Sequence, residues 1–230
     1  GIPCDNDGML PDALESAISG AVAEGKEPKL IYTIPMYQNP QGWVMSLDRR
    51  RAMVRLSQKY DVPILEDDCY VDLRYGGEPV DSIHSQDDTG RVMYVSSFSK
   101  IIAPGMRIGY VTAPPNVLDR LIGTKAGGGT NQFAALAVHR YATGGLENHV
   151  TNINDILRVK RDAMLAALGE YFGSGATWSQ PQGGLYVWLK MPEGSDLNAL
   201  RGKAIDADVG YLPGVSYAPD GVSGKNYARL

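Results

Sequence analysis

Apolar residues along the first half of the chain follow two rhythms, one with the period of a helix and one with that of a buried strand. After Pro11-Asp12, Leu14, Ile18 and Val22 recur at helical spacing, and a proline and an acid both suit a first helical turn. Lys29 to Ile34 reads as a strand ended by Pro35, and Asn39-Pro40-Gln41-Gly42 as a tight turn. Ser46 is placed as an N-cap, with Asp48 in the first turn of a helix reaching about Tyr60. Val62 to Leu65 is a second buried strand, and it delivers Glu66, Asp67, Asp68, Cys69 and Tyr70 at its end. Val92 to Val95 is a third strand, and Arg107 to Ala113 a fourth. Helices and strands alternating through short turns imply an α/β fold with a mostly parallel sheet and flanking helices. Ligands of such sheets sit beyond the carboxyl ends of the strands, where Asn39, Asp67 and Lys100 fall.

From Pro115 the pattern changes. Helical segments are expected around Val117 to Ile122, over about Asn131 to Ala142, and as a long amphipathic helix from about Leu146 to Phe172. Gly127-Gly128-Gly129 between the first two reads as a helix junction, because no strand precedes it and no G-x-G-x-x-G is present. After Gly173 the spacing becomes two, through Ala176-Thr177-Trp178-Ser179-Gln180 and Gly184-Leu185-Tyr186-Val187-Trp188-Leu189. Two short strands are expected at Val209 to Leu212 and Ala228 to Leu230, with Gly183-Gly184 and Pro213-Gly214 in structural roles. The chain therefore divides into part of a large α/β domain over 1–145 and a smaller α+β domain over 146–230, entered by the long helix.

Composition narrows the function classes. The chain has 230 residues, 43% hydrophobic and 21% charged, in the range of an ordinary globular protein with a sizeable core. A net charge of −4 argues against nucleic acid as a partner, since phosphate binding needs a basic face. No apolar run approaches the roughly 20 residues of a membrane-spanning helix, and no secretory leader is visible from Gly1. Two cysteines, Cys4 and Cys69, suit a reducing compartment, so a cytoplasmic location is expected. They lack metal-ligand spacing, and His84, His139 and His149 are scattered, so no metal site is expected.

The chemistry concentrates between Tyr94 and Tyr110. The strand there ends in Ser96, Ser97 and Ser99, followed by Lys100 and then Arg107. Hydroxyls and a guanidinium can hold a phosphate while the lysine amine attacks a carbonyl to form a Schiff base. Ser97-Phe98-Ser99-Lys100 also fits the S-x-x-K of serine β-lactamases, but the S-D-N and K-T-G elements of that family do not occur.

Asn39-Pro40-Gln41-Gly42, Asp67 with Tyr70, Ser97-x-Ser99-Lys100, Arg107, and Asn226-x-x-Arg229 occur in that order along the chain. This ordered set resembles the fold-type I, pyridoxal-phosphate-dependent class I/II aminotransferases, and within them the 2-aminoadipate and kynurenine aminotransferases and the MocR-like regulators. The resemblance implies a PLP-dependent transferase fold with pyridoxal 5'-phosphate (PLP) as cofactor, and amino acids and 2-oxo acids as substrates. It implies that Lys100 forms the Schiff base and moves the substrate proton, and that Asp67 pairs with the pyridine nitrogen. By the same likeness Asn39 and Tyr70 hydrogen-bond the ring's phenolic oxygen, and Ser97, Ser99 and Arg107 hold the phosphate. Arg229, with Asn39 beside the substrate, grips the substrate α-carboxylate. Asp68 is read as a structural acid.

Against the family pattern both ends are expected to be cut. Relatives carry a segment before the equivalent of Gly1 that supplies a phosphate loop, a ring-stacking aromatic and much of a homodimer interface, and a final helix is expected beyond Leu230. Two alternatives share the same pocket: the effector-binding domain of a MocR-type transcription regulator, and a PLP-dependent lyase.

Overall fold

The computed structural model describes residues 1–230. Its centre is a four-stranded sheet in the order β3 (Ile31–Thr33), β4 (Ile64–Asp67), β5 (Val92–Ser97), β6 (Gly109–Thr112). The first three strands run parallel, with Ile31 opposite Ile64 and Ile64 opposite Val92, so their carboxyl ends open on one edge. β6 returns antiparallel to β5, pairing Ser97 with Gly109. Ahead of this sheet, β1 (Cys4–Asp5) and β2 (Gly8–Met9) form a hairpin too short to leave a periodic signal in the sequence.

One face of the parallel strands is covered by α1 (Pro11–Ala23) and α2 (Leu47–Tyr60). Leu14 and Ile18 of α1 and Met53, Val54 and Leu56 of α2 are buried in one cluster with Ile31, Ile64 and Val92. Ser46 does hold the N-cap position of α2, but its side chain makes no capping hydrogen bond, so Asp48 in the first turn carries that end's electrostatics. α2 stops at Asp61, which takes a left-handed φ of 56°.

The fourth strand starts two residues later than the sequence pattern suggests. Pro104–Met106 forms a 3-10 turn that ends at Arg107 with φ 54°, so Arg107 precedes β6 and does not lie in it. Gly109 then approaches β5 closely: a Cβ there would lie 2.9 Å from the Ser96 carbonyl.

Beyond the sheet come α3 (Pro115–Thr124), α4 (Gln132–Thr143, capped by the Asn131 side chain) and the 27-residue α5 (Leu146–Phe172). The glycines at 127–129 lie in the connection between α3 and α4. A second sheet follows, antiparallel, in the order β7 (Thr177–Trp178), β8 (Trp188–Lys190), β10 (Tyr227–Arg229), β9 (Leu212–Pro213). The strands at 176–180 and 184–189 are shorter than their alternation suggests. The strand expected from Val209 begins only at Leu212, because Asp208 takes a left-handed φ of 58° after α6 (Leu197–Asp206). α6 itself was absent from the periodic reading; its signal is local, the Asp196 side chain accepting from Ala199 N at 2.9 Å.

The two sheets meet at a seam. The Gly184 N–H donates to the Leu73 carbonyl at 2.7 Å, and the Tyr75 hydroxyl to the Gly183 carbonyl at 3.0 Å. A Cβ on Gly183 would lie 2.2 Å from the Tyr37 ring and 2.4 Å from the Leu73 carbonyl, so only glycine fits this approach.

Candidate active site

The three parallel strands deliver their chemistry at neighbouring carboxyl ends. Asp67 is the last residue of β4, and the turn after it carries Cys69 and Tyr70. Ser97 ends β5, and the following turn, closed by Ile102 N donating to the Phe98 carbonyl at 2.8 Å, carries Ser99 and Lys100. Asn39 lies in the loop after β3. Alternation along β4 separates its acids: Glu66 and Asp68 are buried, whereas Asp67 is half-buried on the opposite side.

Within this edge the Lys100 ammonium sits 5.9 Å from the centre of the buried Tyr70 ring. The Ser99 N–H donates to Ser97 Oγ at 3.4 Å. The Tyr32 hydroxyl, from β3, donates to Asp67 Oδ2 at 2.7 Å. Cys69 lies between the two charges: its thiol is pushed up to about 12, first by burial and then by the Asp67 carboxylate, while Lys100 pulls it down. Burial, followed by a hydrogen bond to Tyr186, pushes the Tyr70 phenol well above the ordinary tyrosine range, so it is a neutral donor at any physiological pH.

The last strand closes the site from the other sheet. Arg229 Nη1 donates to Asn39 Oδ1 at 2.8 Å, joining residues 190 apart in sequence. Its guanidinium lies 4.1 Å from the Tyr186 ring centre and 5.2 Å from that of Tyr217, and Tyr186 meets Tyr70 edge to face at 5.9 Å. Stacking on two rings holds the fork in one plane. With its carbonyl oxygen engaged, Asn39 keeps its side-chain N–H groups to donate elsewhere.

Asn39 with Arg229, Lys100 with Tyr70, and Ser97 with Ser99 are therefore brought together. Arg107 is exposed and precedes Ile108, whose carbonyl accepts from the Phe98 N–H between the two serines, and its side chain donates to the Pro104 carbonyl at 3.3 Å. Sequence reasoning missed Tyr32, Tyr186 and Tyr217. The two on strands or their edges sit at alternating positions that propensity alone marks as ordinary β residues.

An amine and a half-buried acid at neighbouring strand ends, hydroxyls one and three residues before the amine, and an arginine held against two tyrosine rings make up a set that one class of transferase shares. The chain belongs to the class I and II aminotransferases, whose family model matches residues 2–209. Among particular relatives, it is 42% identical over 219 residues to aromatic-amino-acid aminotransferase 1 of Thermococcus litoralis, covering 94% of this chain and 52% of that protein. All of it superposes, with a TM-score of 0.94 and 38% identity, on 57% of a kynurenine aminotransferase of Pyrococcus horikoshii crystallised with PMP and kynurenine. It is also 33% identical, over its full length and 46% of theirs, to YisV, an uncharacterized HTH-type transcriptional regulator of Bacillus subtilis. The chain spans about half the length of the curated relatives it matches. The cofactor of this class is PLP, and the residues gathered here fit it: an amine, paired hydroxyls and a carboxylate that no lysine, arginine or histidine of the chain neutralises.

Proposed function

We propose that the protein to which this chain belongs is a PLP-dependent aminotransferase that moves an amino group between an amino acid and a 2-oxo acid. Lys100 supplies the amine that holds the cofactor and carries the α-proton on Nζ. Asp67 faces the ring nitrogen, Asn39 Nδ2 and the Tyr70 hydroxyl donate to the ring oxygen, and Ser97, Ser99 and Arg107 hold the phosphate dianion. Arg229, planar between its two tyrosines, takes the substrate carboxylate with two N–H groups. When bound, the cofactor ring withdraws electrons from the substrate α-carbon.

The hydrogen bond between Asn39 and Arg229 carries this reading. It joins Arg229 to the loop that follows the first parallel strand, which supports reading this arginine as the group that takes the substrate carboxylate. Residues 1–145 then form part of the cofactor-binding domain and 146–230 the smaller domain that brings the arginine. The same family likeness supports a homodimer, and the two free thiols support a cytoplasmic protein. No helix is long and apolar enough to cross a membrane.

In the full-length protein, Lys100→Ala is expected to abolish the visible absorbance of lysine-bound cofactor and the conversion of amino acid to 2-oxo acid. Equal absorbance in variant and unmutated protein overturns the proposal. The likeness to YisV favours a second reading, an effector-binding domain that keeps the pocket and binds without turnover. Cofactor absorbance with no 2-oxo acid formed from any of a panel of dicarboxylic, aromatic and branched amino acids would select it.

A further inference from the structure

We propose that Tyr32 is a positioning residue for Asp67, holding its Oδ2 so that Oδ1 is the oxygen presented to the cation of the bound cofactor. This rests on the reading of Asp67 as the partner of the ring nitrogen.

Tyr32 is opposite Leu65 in the β3–β4 register, so it shares a sheet face with Asp67, two residues on. Its ring is 52% exposed, and its hydroxyl makes one hydrogen bond, to Asp67 Oδ2 at 2.7 Å. That length is typical of a hydroxyl on an ionised carboxylate. Burial of the hydroxyl, then the bond to Asp67, pushes the Tyr32 phenol far above its ordinary range, so it never competes as an anion. Cys69 flanks the same carboxylate as a neutral thiol. The acid is thus oriented by one neutral donor, the Tyr32 hydroxyl, while none of the chain's ion pairs includes it. An arginine or lysine in the place of Tyr32 would fix the geometry equally well but cancel the charge. A phenol fixes it and leaves the charge available to a protonated nitrogen arriving from outside the chain.

The test is a double-mutant cycle in the full-length protein, stripped of cofactor and titrated with PLP. Tyr32→Phe keeps the ring and removes only the hydroxyl, and is expected to weaken PLP binding roughly five- to tenfold, the size of one ordinary intramolecular hydrogen bond. It is also expected to shift the pH profile of the cofactor's visible absorbance. Asp67→Asn is expected to weaken binding further, and Tyr32→Phe added to it to have no additional effect. Tyr32→Phe with unchanged affinity and pH profile beside a damaging Asp67→Asn overturns the role of Tyr32 alone, as does full additivity of the two. An Asp67→Asn protein that binds PLP normally overturns the reading of Asp67 itself, and this proposal with it.

Discussion

The two faces of the parallel sheet use the same strands for opposite purposes. On one, Ile31, Thr33, Ile64 and Glu66 are buried beneath α1 and α2; on the other, Tyr32, Leu65 and Asp67 are exposed or half-buried. Each face carries charge. On the packed face, Arg50 and Glu66 are wholly buried 3.9 Å apart, and both are further hydrogen-bonded to the backbone. Arg50 donates to the Met45, Asp81 and Pro35 carbonyls, and Glu66 accepts from the Ile83 and His84 N–H groups at 2.8 and 2.7 Å. On the other face Asp67 accepts from the neutral Tyr32 hydroxyl and forms no ion pair within the chain. Glu66, which holds the Ile83–His84 turn, is paired and hydrogen-bonded within the chain, whereas Asp67 is oriented by a hydroxyl but not neutralised.

The packed face should break hardest. Arg50→Ala strands the Glu66 carboxylate in the interior, and a loss of about 3–5 kcal/mol is expected, read as a lower midpoint in urea unfolding. Next comes Asp68, buried with Oδ1 unpartnered and Oδ2 accepting weakly from the Tyr94 hydroxyl at 3.2 Å. Burial first, then the nearby Glu66 charge, pushes it up to about 7 against the pull of Arg50, with Asp72 adding to the rise. The native state therefore binds this proton more tightly than the unfolded chain. Stability from Asp68 is present below about pH 4, falls as pH rises towards 7, and is gone above it. Glu66, also raised by burial, contributes with the same sign. Asp68→Asn should gain on the order of 2 kcal/mol at pH 8 and flatten the decline between pH 5 and 8, measured by denaturant melts at each pH. Smallest is Tyr32→Phe on the open face, where unfolding stability should move by less than about 0.5 kcal/mol while PLP affinity drops. A larger stability loss would mean that the open face is structural too.

Short apolar runs bounded by turn residues made the core strands legible, and the ordered motif from Asn39 through Asp67, Tyr70 and Lys100 to Arg229 was legible in the sequence alone. The sequence pattern failed where a single residue departs from ordinary backbone. Arg107 and Asp208 take left-handed φ values, and each delays the strand that follows it. It failed again for Tyr32, whose partner across strands depends on register, and for Tyr186 and Tyr217, which lie outside the strands and meet Arg229 only through tertiary packing. The parallel sheet, in contrast, followed from strand–helix alternation alone, except that its last strand turns back.

The absence of a side chain at position 183 has a mechanical meaning. Tyr37 and the Leu73 carbonyl press directly on that backbone, so the segment leading into β8 is seated directly against the loops that follow β3 and β4. Arg229 rides on that second sheet and Asn39 follows directly from the first. The missing methyl acts as a gauge block: adding it, as in Gly183→Ala, would move the guanidinium away from Asn39 and detune carboxylate capture from a position that touches neither group.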